Sequence, residues 1–131
     1  MLISVPVLSG WLVAGKPDFP DYLEILGYKK IPQPRNYDQR QQYFVMRLTG
    51  DSLLNEGIRS GDWIVYRVTR QANPGQLCVI ATPHGLTVKF CWPQPDGTVI
   101  LRAGNPDHPD QVWEQGDIQI RGVVVQSGRD W

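Results

Sequence analysis

Residues Phe44–Tyr66 read FVMRLTGDSLLNEGIRSGDWIVY. Phe44, Met46 and Leu48 alternate with Val45, Arg47 and Thr49, the period of a half-buried strand. Gly50 ends the run by allowing backbone angles that other residues resist. Asp51-Ser52 then opens a short polar turn, Leu53–Ile58, with room for one or two turns of helix. Gly61-Asp62 closes it and Trp63–Val68 begins the next strand. A serine at such a break is lifted out of the sheet among free backbone N–H groups. Two readings follow. The serine is a nucleophile whose neighbouring amides hold an oxyanion, or Asp51 and Ser52 are ordinary helix caps.

Outward from this stretch the texture is β. Strands are expected at 43–49, 62–70, 76–82, 86–92, 98–103 and 117–126. Asn73-Pro74-Gly75 and Pro95-Asp96-Gly97 are turn signals, since Pro fixes one backbone angle and Gly permits another. Gly104-Asn105-Pro106 starts a surface loop running to Gln115. Gly122, inside the last strand, marks a bulge or a close backbone approach. Eleven prolines and 13 glycines in 131 residues suit a turn-rich, mostly β fold of one compact body. Residues 2–14 are apolar but interrupted, and read as an extended arm. Residues 16–42 are rich in Pro, Gly, Tyr and charge. A brief helix is expected at Asp21–Tyr28, with Asp21 as its cap, and a mobile connector at Ile31–Gln42. The division is therefore an arm and connector, 1–42, and a β-rich body, 43–131. A long connector that tethers an apolar arm implies that the arm docks somewhere.

Thirteen basic and 13 acidic residues cancel, so no electrostatic footprint for nucleic acid is present. No apolar run approaches the roughly 18 residues that span a bilayer. Met1–Ala14 lacks a basic leader region and is broken by Pro6, Ser9 and Gly10, so the expected compartment is the cytoplasm. Cys78 and Cys91 sit in apolar runs and are expected as buried free thiols. Two Cys and two His lack zinc spacing, and no phosphate loop is present, so neither metal nor cofactor is expected. His84 and His108 lie in turn and loop segments where exposure is the plainer state. The five tryptophans are scattered and suit packing. In Leu86-Thr87-Val88-Lys89-Phe90, alternation places Thr87, Lys89 and Cys91 on one face. Lys89 is either an exposed strand lysine or a desolvated one. A desolvated lysine loses its charge readily and takes a proton from a serine.

Gly50-Asp51-Ser52-Leu53, Gly57-Ile58, Gly61-Asp62-Trp63-Ile64-Val65, Thr87-Val88-Lys89, Asn105-Pro106 and Ile120-Arg121-Gly122-Val123-Val124 follow one another in the order and spacing of the LexA/UmuD-like self-cleaving serine peptidases. The body resembles that catalytic domain over essentially its whole length. The interval from Ser52 to Lys89 is 37 residues (89 − 52), as the family has it. Leu12-Val13-Ala14-Gly15 resembles the segment these proteins cut in themselves, and Gly128-Arg129-Asp130-Trp131 resembles their ending.

The resemblance implies a domain of twisted antiparallel strands with an N-terminal cleavable arm. It makes Ser52 the nucleophile and Lys89 the base, puts the oxyanion hole at the backbone N–H groups of Asp51 and Ser52, and sets the cut between Ala14 and Gly15. It offers Thr87 as a residue that orients Lys89. Leu53 departs from the family's usual Met but is near-isosteric with it. The implied partners are a second copy of the chain, a RecA–single-stranded DNA filament as activator and, in a UmuD-like protein, an error-prone DNA polymerase. Direct DNA binding and membrane attachment are not implied. Fourteen residues up to the cut hold no recognition helix. That fits either the catalytic part of a LexA-type repressor or a free-standing UmuD-like protein. The short arm resembles the second, and the Ala-Gly site with the chain's ending resembles the first. The competing reading is a non-cleaving interaction module of the same fold, dimerising through Ile118–Gln126 as an edge strand. A membrane-anchored signal peptidase, which shares Ser–Lys chemistry, ranks last because the expected chain has no anchor.

Overall fold

The structure is a computed structural model that describes residues 1–13, 24–51 and 53–129. It is mostly β, a single sheet of nine strands. These are β1 (Leu2–Val13), β2 (Ile25–Pro32), β3 (Tyr43–Thr49), β4 (Trp63–Val68), β5 (Gln76–Thr82), β6 (Gly85–Pro93), β7 (Thr98–Arg102), β8 (Gln111–Glu114) and β9 (Gln119–Gly128). Their order is β2-β1-β3-β4-β9-β5-β6-β7-β8, with a further pairing of β1 to β6. That extra pairing closes β1, β3, β4, β9, β5 and β6 on themselves, which leaves fewer open edges. Every pairing is antiparallel except those of β1 with β3 and with β6, which are parallel.

Strand alternation sorts the core into clusters. Met46 and Leu48 of β3, Ile64 and Tyr66 of β4, Val79 of β5, and Leu86 and Val88 of β6 pack together with Leu53 and Ile58. On the opposite face of β3 and β4, Val45, Trp63 and Val65 pack with Val5 of β1 and Ile31 of β2. On the opposite face of β5 and β6, Cys78, Ile80 and Cys91 pack with Val99 and Leu101 of β7. Cys78 and Cys91 are both buried free thiols.

Gly122 sits where its spacing predicts. β9 bulges at Arg121, since Val79 pairs with Gly122 and Ile80 with Ile120. A Cβ on Gly122 would lie 2.4 Å from Tyr66 Cδ2 and 2.5 Å from the Arg67 carbonyl oxygen, so only glycine admits that approach.

Three local expectations give way. Ile25–Tyr28 is strand, not the end of a helix, because residues 25–32 pair with Leu2–Leu8 of β1. Leu26 is bulged out of that register between Gly27, opposite Val7, and Ile25, opposite Leu8, and is left exposed. The loop expected after Gly104 contains β8, four residues paired with β7. The last strand is not an edge, since its first half pairs with β5 and its second half with β4. The stretch 33–42 forms turns in which the Tyr37 and Tyr43 rings lie 5.1 Å apart and the Asp38 N–H donates to the Tyr43 hydroxyl at 3.2 Å. None of the helices among the described residues is long and apolar enough to cross a membrane.

Candidate functional site

Lys89 is 2% exposed, in the middle of β6 and directly opposite Cys78 on β5. Its neighbours on that face are Thr87 and Cys91 along its own strand and Ile80 across the pair. The exposed-lysine alternative is therefore excluded. Among the described residues, no carboxylate lies within ion-pairing distance of it. Burial pushes the Lys89 ammonium below the ordinary lysine range, since desolvation penalises its charged form. Such an amine is a usable base nearer neutrality. Thr87, two residues before it, is 1% exposed.

β1 runs to the same place. Its backbone pairs Trp11 with Arg47, Leu12 with Leu48 and Val13 with Thr49 on β3. Val13 also pairs with Thr87 on β6. One backbone position of β1 is thus wedged between the strand that ends three residues before residue 52 and the strand that carries Lys89. Ala14, Gly15 and Ser52 lie outside the described residues.

The turn that follows β3 is built around those two strands. Gly50 adopts φ +99° and ends the strand. A single 3-10 turn, Leu54–Glu56, follows, and its cap position is Leu53, which makes no side-chain capping bond. Asp51 does not act as a cap. Its carboxylate oxygen lies 2.6 Å from His108 Nε2, and its carbonyl accepts from Asn105 Nδ2 at 2.9 Å. Leu53 is fully buried against Met46, Leu48 and Val88. A methionine-sized apolar side chain is what that pocket requires.

The far end of the turn is held by Asp62, 4% exposed. Asp62 Oδ2 accepts from the Arg59 N–H at 2.8 Å and Oδ1 accepts from Arg129 Nε at 2.9 Å. Arg129 Nη2 also donates to the Gly57 carbonyl at 2.7 Å. Reasoning from the sequence missed the roles of Asp62, Arg129, Asn105 and His108. All four act on segments far away in the chain, and no local spacing announces such a pairing. His84 stays in an exposed hairpin turn, its ring 6.0 Å from that of Trp113. Among the described residues, no group of three or more His, Cys, Asp or Glu is placed to hold a metal.

The Peptidase S24-like family profile matches residues 6–125. A LexA repressor of Syntrophotalea carbinolica is 32% identical over 123 residues, covering 90% of this chain and 56% of the relative. A LexA repressor of Pelagibacter ubique is 27% identical over 130 residues, covering 98% of this chain and 56% of the relative. A LexA repressor of Frankia alni is 32% identical over 125 residues, covering 92% of this chain and 46% of the relative. The chain spans about half the length of the curated relatives it matches.

Proposed function

The chain belongs to the Peptidase S24-like family, and on that premise we propose that it is a LexA-type autoproteolytic regulator that cuts its own Ala14–Gly15 bond. The observation that carries this reading is the double pairing of Val13, to Thr49 and to Thr87, beside a lysine buried without a counter-charge among the described residues. Lys89 Nζ, whose pKa desolvation lowers, takes in its unprotonated form the proton of the Ser52 hydroxyl, and the oxygen attacks the Ala14 carbonyl carbon. The N–H groups of Asp51 and Ser52 stabilise the oxyanion. The C–N bond to Gly15 breaks as Lys89 returns the proton to the leaving amine, and water then hydrolyses the Ala14 ester. Thr87, flanking Lys89 on its own face, orients the amine. A small residue at Ala14 and a glycine at Gly15 suit a narrow cleft reached by an added strand.

A RecA–single-stranded DNA filament fits as activator in the response to DNA damage. It acts only through a higher affinity for the state with the arm docked. The chain serves either as the catalytic part of a repressor or as a UmuD-like partner of an error-prone polymerase. A homodimer is part of the proposal.

The test is incubation at pH 10 followed by intact-mass measurement. The expected result is one cut after Ala14, lost in Ser52→Ala and in Lys89→Ala. A chain that stays whole while circular dichroism shows it folded refutes the reading and leaves the interaction module as the better account.

A further inference from the structure

The turn after β3 is bonded to a distant loop as well as to its own strand. Two hydrogen bonds to backbone carbonyls and one close approach join it to residues 103–110, the connection between β7 and β8. The Asn55 N–H donates to the Gly104 carbonyl at 2.8 Å. Asn105 Nδ2 donates to the Asp51 carbonyl at 2.9 Å. A Cβ on Gly104 would stand 2.8 Å from Glu56 Cγ and 3.4 Å from the Leu53 Cα, so the loop lies flat against the turn. His108 Nε2 adds a side-chain contact to Asp51 Oδ1 at 2.6 Å.

Asn105 is the centre of this bracket. It is 7% exposed, and both ends of its amide are committed. Its Oδ1 accepts from the Asp107 N–H at 3.0 Å, which fixes the amide's orientation and turns Nδ2 toward Asp51. Burying an amide costs free energy unless such partners are supplied. The oxygen it holds belongs to the peptide unit that leads into residue 52. A trans peptide is planar, with C=O and N–H on opposite edges. A donor that fixes the oxygen therefore also constrains the direction of the N–H in the same plane.

The geometry points to Asn105 and His108 as positioning residues for self-cleavage: together they hold the Asp51–Ser52 peptide unit in the orientation that aims its N–H at the developing oxyanion. Neither residue touches the reacting atoms. This inference rests on the reading of Ser52 as nucleophile, and the experiment separates the two.

The first-order rate of the cut is measured at pH 10, well below the melting temperature of each variant, with amide hydrogen exchange of Leu54–Gly57 in parallel. Asn105→Ala slows the cut about tenfold or more and speeds exchange across Leu54–Gly57. Asn105→Asp keeps the volume but sets an acceptor against the Asp51 carbonyl, and is at least as slow as Asn105→Ala. His108→Ala slows the cut by a smaller factor, about threefold, and His108→Gln, which retains a donor, recovers most of that loss. Asn105→Asp and Asn105→Ala that cut at the wild-type rate overturn the inference while leaving the Ser52 reading intact. A wild-type chain that stays folded and whole overturns that reading and with it the catalytic purpose of the bracket. In that case, faster exchange at Leu54–Gly57 in Asn105→Ala still identifies the bracket as what orders the turn, and unchanged exchange removes that role too.

Discussion

Two buried ionisable side chains, Asp62 and Lys89, are treated in opposite ways. Asp62 is 4% exposed and Lys89 2%. Asp62 receives an arginine and a backbone N–H, so the cost of taking its charge out of water is offset. Lys89 faces Cys78, Thr87, Cys91 and Ile80, with no carboxylate within reach among the described residues. A fold selected only for stability has no use for that arrangement, because an apolar residue would fill the same strand position without a desolvation cost. The difference teaches which of the two is structural. Asp62 ties the end of the turn to Arg129 near the end of the chain, while burial lowers Lys89 below the ordinary lysine range.

Substitutions can break or sharpen this contrast. The largest expected effect is on the proposed chemistry: Lys89→Met should abolish the proposed self-cleavage at every pH, read by intact mass. On stability the order reverses. Arg129→Ala leaves Asp62 buried with one partner fewer, and should cost about 3 kcal/mol in a urea titration. Lys89→Met should instead raise the melting temperature by roughly 3–6 °C near pH 7. The sign follows from linkage. The folded-state pKa of Lys89 is depressed, so the unfolded chain binds the extra proton between the folded and unfolded values. The wild type therefore gains stability as pH rises through that window, and the advantage of Lys89→Met fades as pH passes the ordinary lysine value, about 10.4. The smallest effect belongs to a pair that is neither buried nor catalytic. Arg40–Asp38 is a surface ion pair with the Arg40 side chain 85% exposed, and Arg40→Ala should leave the melting temperature unchanged.

The sequence carried the central strands well. The runs 43–49 and 76–82 coincide with β3 and β5, and the bulge at Gly122 followed from a glycine inside an apolar run. Period and turn residues are local signals, and these elements obey them. β2 was misread because Tyr22, Leu23, Ile25 and Leu26 mimic a helical stripe, whereas pairing with β1 decided the outcome. β8 escaped notice because it is four residues long and turns Val112 outward, 66% exposed. At the candidate site, a lysine in an apolar run raised the buried-lysine alternative, but alternation alone favoured exposure. The two are separated only by tertiary packing, in which Cys78, Ile80 and Cys91 around Lys89 cluster with Val99 and Leu101 of β7. His108 read as a solvated loop residue, since its partner Asp51 is 57 positions away.

The account turns on the protonation of one amine. The Lys89 side chain can be titrated directly by NMR through its Cε and Hε resonances, in Ser52→Ala so that the chain stays intact. The account predicts a midpoint below the ordinary lysine range. A Lys89 midpoint at about 10.4 would contradict it.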